Sequence, residues 1–159
     1  MPQRREQPAA HFSGQTYEIR LPDGSVKRMP VAGAAAGSPG APLDRERAER
    51  FAERWYAAWN AHDLDAILEH YADDVEMASP LVAALAGREN GRIAGKEALR
   101  AYFAAGLERY PELRFEPIDL FVGVDSLVLQ YRSVGGRLSA EVVFLDGEDR
   151  IVRYCAHYA

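Results

Sequence analysis

Glu141 is the residue whose type and setting point most directly to chemistry. It stands in Leu138-Ser139-Ala140-Glu141-Val142-Val143-Phe144-Leu145, the most apolar strand-like segment of the chain. Side chains alternate across a strand, so Glu141 shares a face with Val143 and Leu145. If that face is inward, the carboxyl lies in low dielectric. Burial penalises its charged form and makes it a hydrogen-bond donor or general acid near neutral pH. An outward Glu141 paired with an arginine is the alternative reading. Met77 and Ser79 also share a face, at the end of Val75-Glu76-Met77-Ala78-Ser79-Pro80, and Ser79 can donate a hydrogen bond there. In the last segment Tyr154, Ala156 and Tyr158 fall on one side, and Arg153, Cys155 and His157 on the other.

Other reactive residue types fit no recognisable site. His70, Asp73 and Asp74 are close in sequence, but their spacing suits a solvated helix end better than a metal cage. No metal is expected. Ser79 has no histidine nearby in sequence, which argues against a nucleophile. The single cysteine, Cys155, excludes an intramolecular disulfide and a cysteine-rich zinc site. The aromatic residues Trp55, Trp59, Tyr71, Phe103, Tyr131 and Tyr154, with Met77, can serve as core or as the wall of a pocket that stacks on a flat ligand.

These residues need elements to hold them. Asp44 can cap a helix in which Ala48, Phe51, Ala52, Trp55 and Trp59 fall on one face. A break at Asn60-Ala61-His62, with His62 in solvent, leads to a short second helix capped by Asp63. Its stripe is Leu64, Ile67, Leu68 and Tyr71, and Asp73-Asp74 closes it. Residues 75–80 read as a strand, 81–86 as a helical turn and 87–95 as a glycine-studded loop. A third helix runs from about Lys96 to Tyr110, stopped by Pro111. Residues 113–122, 126–134, 137–146 and 150–158 read as strands joined by turns at Gly135-Gly136 and Asp146-Gly147. The expectation is an α+β domain, residues 43–159, with three helices packed on the concave face of a curved antiparallel sheet.

The 159 residues allow one ordinary domain. Residues 1–42 carry five basic and three acidic groups, whereas the remainder carries fourteen and twenty-one. This segment reads as a tail, a hairpin over 16–29 turning at Pro22-Asp23-Gly24-Ser25, and a flexible linker. The formal charge of −5 disfavours nucleic acid as a partner. No apolar run approaches the roughly 20 residues of a membrane span, so no membrane partner is expected. No secretory signal is visible, and a cytoplasmic location is the expectation.

Trp55-Tyr56-Ala57-Ala58-Trp59-Asn60-Ala61-His62-Asp63-Leu64-Asp65, Tyr71-Ala72-Asp73-Asp74-Val75 and Gly95-Lys96-Glu97-Ala98-Leu99 resemble the nuclear-transport-factor-2-like superfamily, and within it the SnoaL-like polyketide-cyclase group. Arg150-Ile151-Val152-Arg153-Tyr154 through His157-Tyr158 fits the same pattern. The resemblance covers about residues 44–159 and implies a cystatin-like cone fold enclosing a pocket. Laid over the ketosteroid-isomerase pattern, the oxyanion-hole tyrosine falls at Trp55, the aspartate base at Ser79 and the second acid at Glu141. Only Glu141 keeps the chemistry, so steroid isomerisation is not expected. The Asp-Arg-Asp set of an epoxide hydrolase is missing around Arg137.

SnoaL-like cyclases use an acid–base pair, typically Asp with His, and no metal or cofactor. The resemblance therefore implies Glu141 and His157 as stand-ins, with Ser79 as a hydrogen-bond donor. It implies a cofactor-independent cyclase, isomerase or dehydratase acting on a hydrophobic, polycyclic or carbonyl-bearing small molecule. A non-catalytic binding or dimerisation module of the same fold is the alternative. A homodimer through the convex sheet face, using Val128, Val142, Phe144 and Cys155, is expected in either case.

Overall fold

The computed structural model describes residues 11–13, 16–20, 23–30 and 41–159, and the contacts divide the chain into two units, residues 1–36 and 37–159. In the first unit β1 (His11–Ser13), β2 (Thr16–Arg20) and β3 (Val26–Pro30) form an antiparallel sheet in that order. The turn between β2 and β3 is closed by Asp23, whose Oδ1 accepts from the Ser25 amide at 2.9 Å and the Ser25 hydroxyl at 2.6 Å. The hairpin thus carries a third strand. The expected linker, 31–42, lies almost wholly outside the described residues.

The second unit begins with α1 (Arg45–Asn60), capped by Asp44 accepting from the Arg47 amide at 2.7 Å. Ala48, Phe51, Ala52, Trp55 and Trp59 are all buried along its inner face. A turn leads to α2 (Leu64–Glu69), which Asp63 caps. The expected helical stripe extended to Tyr71, but the helix ends at Glu69 and Tyr71 opens β4 (Tyr71–Ala78). Tyr71 is fully buried in either setting, so its position in the apolar pattern fitted both. Asp73-Asp74 then falls within the strand, exposed, where its register against the neighbouring strand shifts. Next come α3 (Pro80–Ala86), β5 (Arg92–Ala94) and α4 (Lys96–Arg109). The predicted loop over 87–95 therefore contains a short strand, paired antiparallel with β4.

β6 (Glu116–Val122), β7 (Ser126–Arg132), β8 (Leu138–Leu145) and β9 (Ile151–Tyr158) complete a six-stranded curved sheet in the order β5-β4-β9-β8-β7-β6. All neighbours are antiparallel except β4 and β9, which run parallel. The core lies between this sheet and the helices. Phe51 and Trp55 of α1 and Leu99 of α4 are fully buried, as are Leu127, Leu129, Val143 and Ile151 of the sheet. No helix among the described residues is long and apolar enough to cross a membrane.

Candidate functional site

β8 supplies the acid. Its burial alternates strictly, with Ser139, Glu141, Val143 and Leu145 inward. On β7 the inward set is Leu127, Leu129 and Tyr131. A tight turn at Val134–Gly136 fixes the register of the two strands. Gly135 and Gly136 take φ of 68° and 74°, values side-chain-bearing residues rarely adopt. That register sets Tyr131 opposite Ser139 and diagonal to Glu141. The Tyr131 hydroxyl donates to Glu141 Oε1 at 2.7 Å, while Oε2 has no hydrogen-bond partner among the described residues. On the other side Glu141 faces Ala156 of β9, a small residue that leaves room above the carboxyl.

Glu141 is 0% exposed. Burial raises its pKa from 4.5 to about 8, and the hydrogen bond from the Tyr131 phenol pulls it only partly back. At neutral pH the residue is mainly a neutral acid. Oε1 accepts from Tyr131, so Oε2 keeps the proton and remains a donor without an acceptor. The Tyr131 and Tyr154 hydroxyls are themselves pushed well above the usual range by burial, and the nearby acid adds to this. Neither is a source of negative charge at neutral pH.

Glu141, Tyr131 and Tyr154 line a cavity of about 170 Å³. Its inner wall is completed by Trp59 of α1, Met77 of β4, Phe103 of α4 and Phe115, each less than one-tenth exposed. Trp59 and Phe103 meet edge to face with centroids 4.7 Å apart. The outer end is ringed by half-buried or exposed residues: Leu81 and Leu85 of α3, Tyr102 and Tyr110, and Arg137 and Tyr158. The cavity therefore grades from a dry interior to a wet mouth.

The segment carrying Leu113 and Phe115 is pinned from below. Asn60 Nδ2 donates to the Phe115 carbonyl at 3.0 Å, and its Oδ1 accepts from the Phe115 amide at 2.7 Å. His62 Nε2 lies 2.7 Å from the Leu113 carbonyl, so that nitrogen is the donor. The turn expected to leave His62 in solvent instead ties α1 to the cavity wall.

The structure brings together Glu141, Trp59, Met77, Phe103, Tyr131 and Tyr154 among the residues singled out from sequence. It places Trp55 and Tyr71 behind the wall: the Trp55 indole donates to the Tyr71 hydroxyl at 3.1 Å, and both rings are fully buried. His157 is exposed on the opposite sheet face, its Nδ1 3.2 Å from the Cys155 carbonyl. It pairs with Ala140, one residue from Glu141, and one residue along a strand reverses the face. Ser79 caps α3, accepting from the Leu81 amide at 3.2 Å, and its hydroxyl lies 3.5 Å from that of Tyr158. It stands behind the rim and does not line the cavity. Sequence reasoning missed Tyr102, Tyr110, Phe115 and Arg137. Tyr102 and Tyr110 were placed only as residues of the third helix. No cluster of three or more metal-ligating side chains exists among the described residues.

Solved structures give the chain a context. A SnoaL-like protein of unknown function from Burkholderia thailandensis is 47% identical, with a TM-score of 0.72 over 74% of this chain and 98% of that one. A candidate polyketide cyclase from Sinorhizobium meliloti is 17% identical, with a TM-score of 0.57 over 68% of this chain and 94% of its own. A candidate isomerase of the SnoaL-like family from Agrobacterium tumefaciens is 18% identical, with a TM-score of 0.57 over 70% and 97%. These two share the fold at distances where activity is not transferable. Comparison with curated proteins gave no match. The profile of the SnoaL-like domain matches residues 52–159, more than half of the chain, and the chain belongs to the SnoaL-like domain family.

Proposed function

We propose that the cavity binds a small, largely apolar molecule bearing a carbonyl group, and that Glu141 acts on it as a general acid without a cofactor. The observation that carries this reading is the unpartnered Oε2 of a fully buried Glu141 on the wall of an apolar cavity. A carbonyl oxygen placed there receives a hydrogen bond from Oε2 and takes up charge as the carbonyl is attacked or enolised. A neutral acid in a dry site stabilises that charge more than water does. Ring closure by carbonyl addition and enolisation need a proton delivered to such an oxygen, and dehydration needs one delivered to the departing hydroxyl. The base is not His157, which lies on the other face, and no second carboxylate or imidazole lines the cavity among the described residues. The reading therefore asks for Glu141 as the acid and for solvent water, entering through the mouth, to take the carbon-bound proton in enolisation and to reprotonate Glu141 afterwards.

2-Tetralone in D2O tests it, because deuterium enters beside the carbonyl when the enol forms. The native protein should speed this exchange, Glu141→Gln should lose the acceleration, and the rate should fall above about pH 8 as Glu141 ionises. Equal rates in both proteins would reject the assignment.

A second reading, compatible with the first, is that the solvent-facing side of the sheet forms a homodimer. Phe121, Val128, Val142 and Cys155 lie in one cross-strand row over β6, β7, β8 and β9. Phe121 is 54% exposed and the other three are half-buried. Contiguous apolar surface of this kind favours association. Sedimentation at micromolar concentration should give twice the chain mass; a monomer would count against it.

A further inference from the structure

Arg137 is the one cationic residue that lines the cavity among the described residues, and Glu141 the one acid. The two stand at opposite ends, Glu141 fully buried and Arg137 exposed at the mouth. The backbone of Arg137 is held in place. Its carbonyl accepts from the Ser133 amide at 2.8 Å, and its amide donates to the Val134 carbonyl at 3.4 Å. The guanidinium lies over the Tyr158 ring, 5.8 Å from the centroid. A ring contact of this kind takes up no hydrogen-bond acceptor, so the N–H groups remain available to a ligand. Arg47, Arg50, Arg100 and Arg150 all pair with carboxylates, whereas Arg137 has no such partner among the described residues. Between the two ends the lining is aromatic and aliphatic apart from phenols and Ser133.

On the reading that this cavity binds a small molecule, we infer that its ligand is an amphipathic carboxylate: an anionic end at Arg137, a flat apolar body against Phe103 and Phe115, and an uncharged oxygen at Glu141. A planar, forked guanidinium matches a carboxylate edge to edge. A second anionic group at the inner end is disfavoured, because that wall offers desolvation and no cation. The charge also gives the ligand a direction of entry. A single cation on an otherwise neutral mouth turns an anionic tail outward and sends the uncharged end inward.

The test uses two probes, 6-hydroxy-2-naphthoate and its methyl ester, with binding read from quenching of the tryptophan fluorescence to which Trp59 contributes. The native protein should bind the acid more tightly than the ester, on the order of fivefold, as for a partly exposed ion pair. Raising NaCl to about 0.5 M should narrow that gap, because exposed charges are screened. Arg137→Gln should abolish the preference by weakening the acid more than the ester. Arg137→Lys should keep part of it, since the charge remains while the fork is lost. Equal affinity for acid and ester in the native protein overturns the inference and leaves the cavity reading intact, as does a preference that survives Arg137→Gln. Quenching by neither probe overturns the cavity reading and this inference with it.

Discussion

Glu141 carries a proton that the unfolded chain would release. The folded protein holds it up to about pH 8, whereas the ordinary carboxyl loses it near 4.5. Between those values folding takes up a proton, so stability is full below the lower value and declines as pH rises through the upper one. Each tenfold difference in proton affinity is worth about 1.4 kcal/mol, so several kcal/mol depend on this one group. Glu141→Gln should remove that decline. Urea denaturation of both proteins at pH 5.5 and 8.5 checks it: the native protein should lose more stability between the two than the variant. Equal losses would mean that water reaches the carboxyl. His157→Ala should leave probe binding unchanged, because its ring faces away from the cavity. That Glu141 stands in a strand was legible, but its facing was left open, because the opposite face of β8, Leu138, Ala140, Val142 and Phe144, is as apolar as its own. Its partner was not legible, since the Tyr131 bond depends on strand register, and the turn at Val134–Gly136 sets that register.

Elements hold these residues through local contacts that can be removed singly. Ser79→Ala should cost about 1 kcal/mol by uncapping α3, with probe affinity little changed. Thermal unfolding together with a fluorescence titration would separate the two effects. Asn60→Ala should cost about 1–3 kcal/mol, because the part-buried amide and carbonyl of Phe115 both lose their partner. It should also weaken probe binding, since Phe115 is part of the wall. The capped helices were readable from Asp44, Asp63 and the apolar spacing that follows each. The strand at β5 was not, because Arg92-Ile93-Ala94 is too short for alternation to show. The exchange of Tyr71 from helix to strand has the same origin: one buried ring satisfies either period, and pairing with β9 decides between them.

At the scale of the molecule, the apolar row across the outer sheet face makes a prediction of its own. Val142→Asp should shift sedimentation toward the monomer and leave naphthoate binding unchanged, since Val142 and Glu141 face opposite ways. The overall architecture was legible in the succession of three helices and a run of strands. The one parallel pairing was not, because nothing in the residues of β4 or β9 announces which strand each will adjoin. That pairing has a consequence for synthesis. β9 sits between β4 and β8, so the strands made early and the meander made late are two unconnected ribbons until it arrives. On a ribosome the nascent protein would wait with its oily sheet surfaces uncovered until Ile151–Tyr158 had cleared the exit tunnel, which makes this stretch the keystone of assembly and the place where truncation would harm yield most.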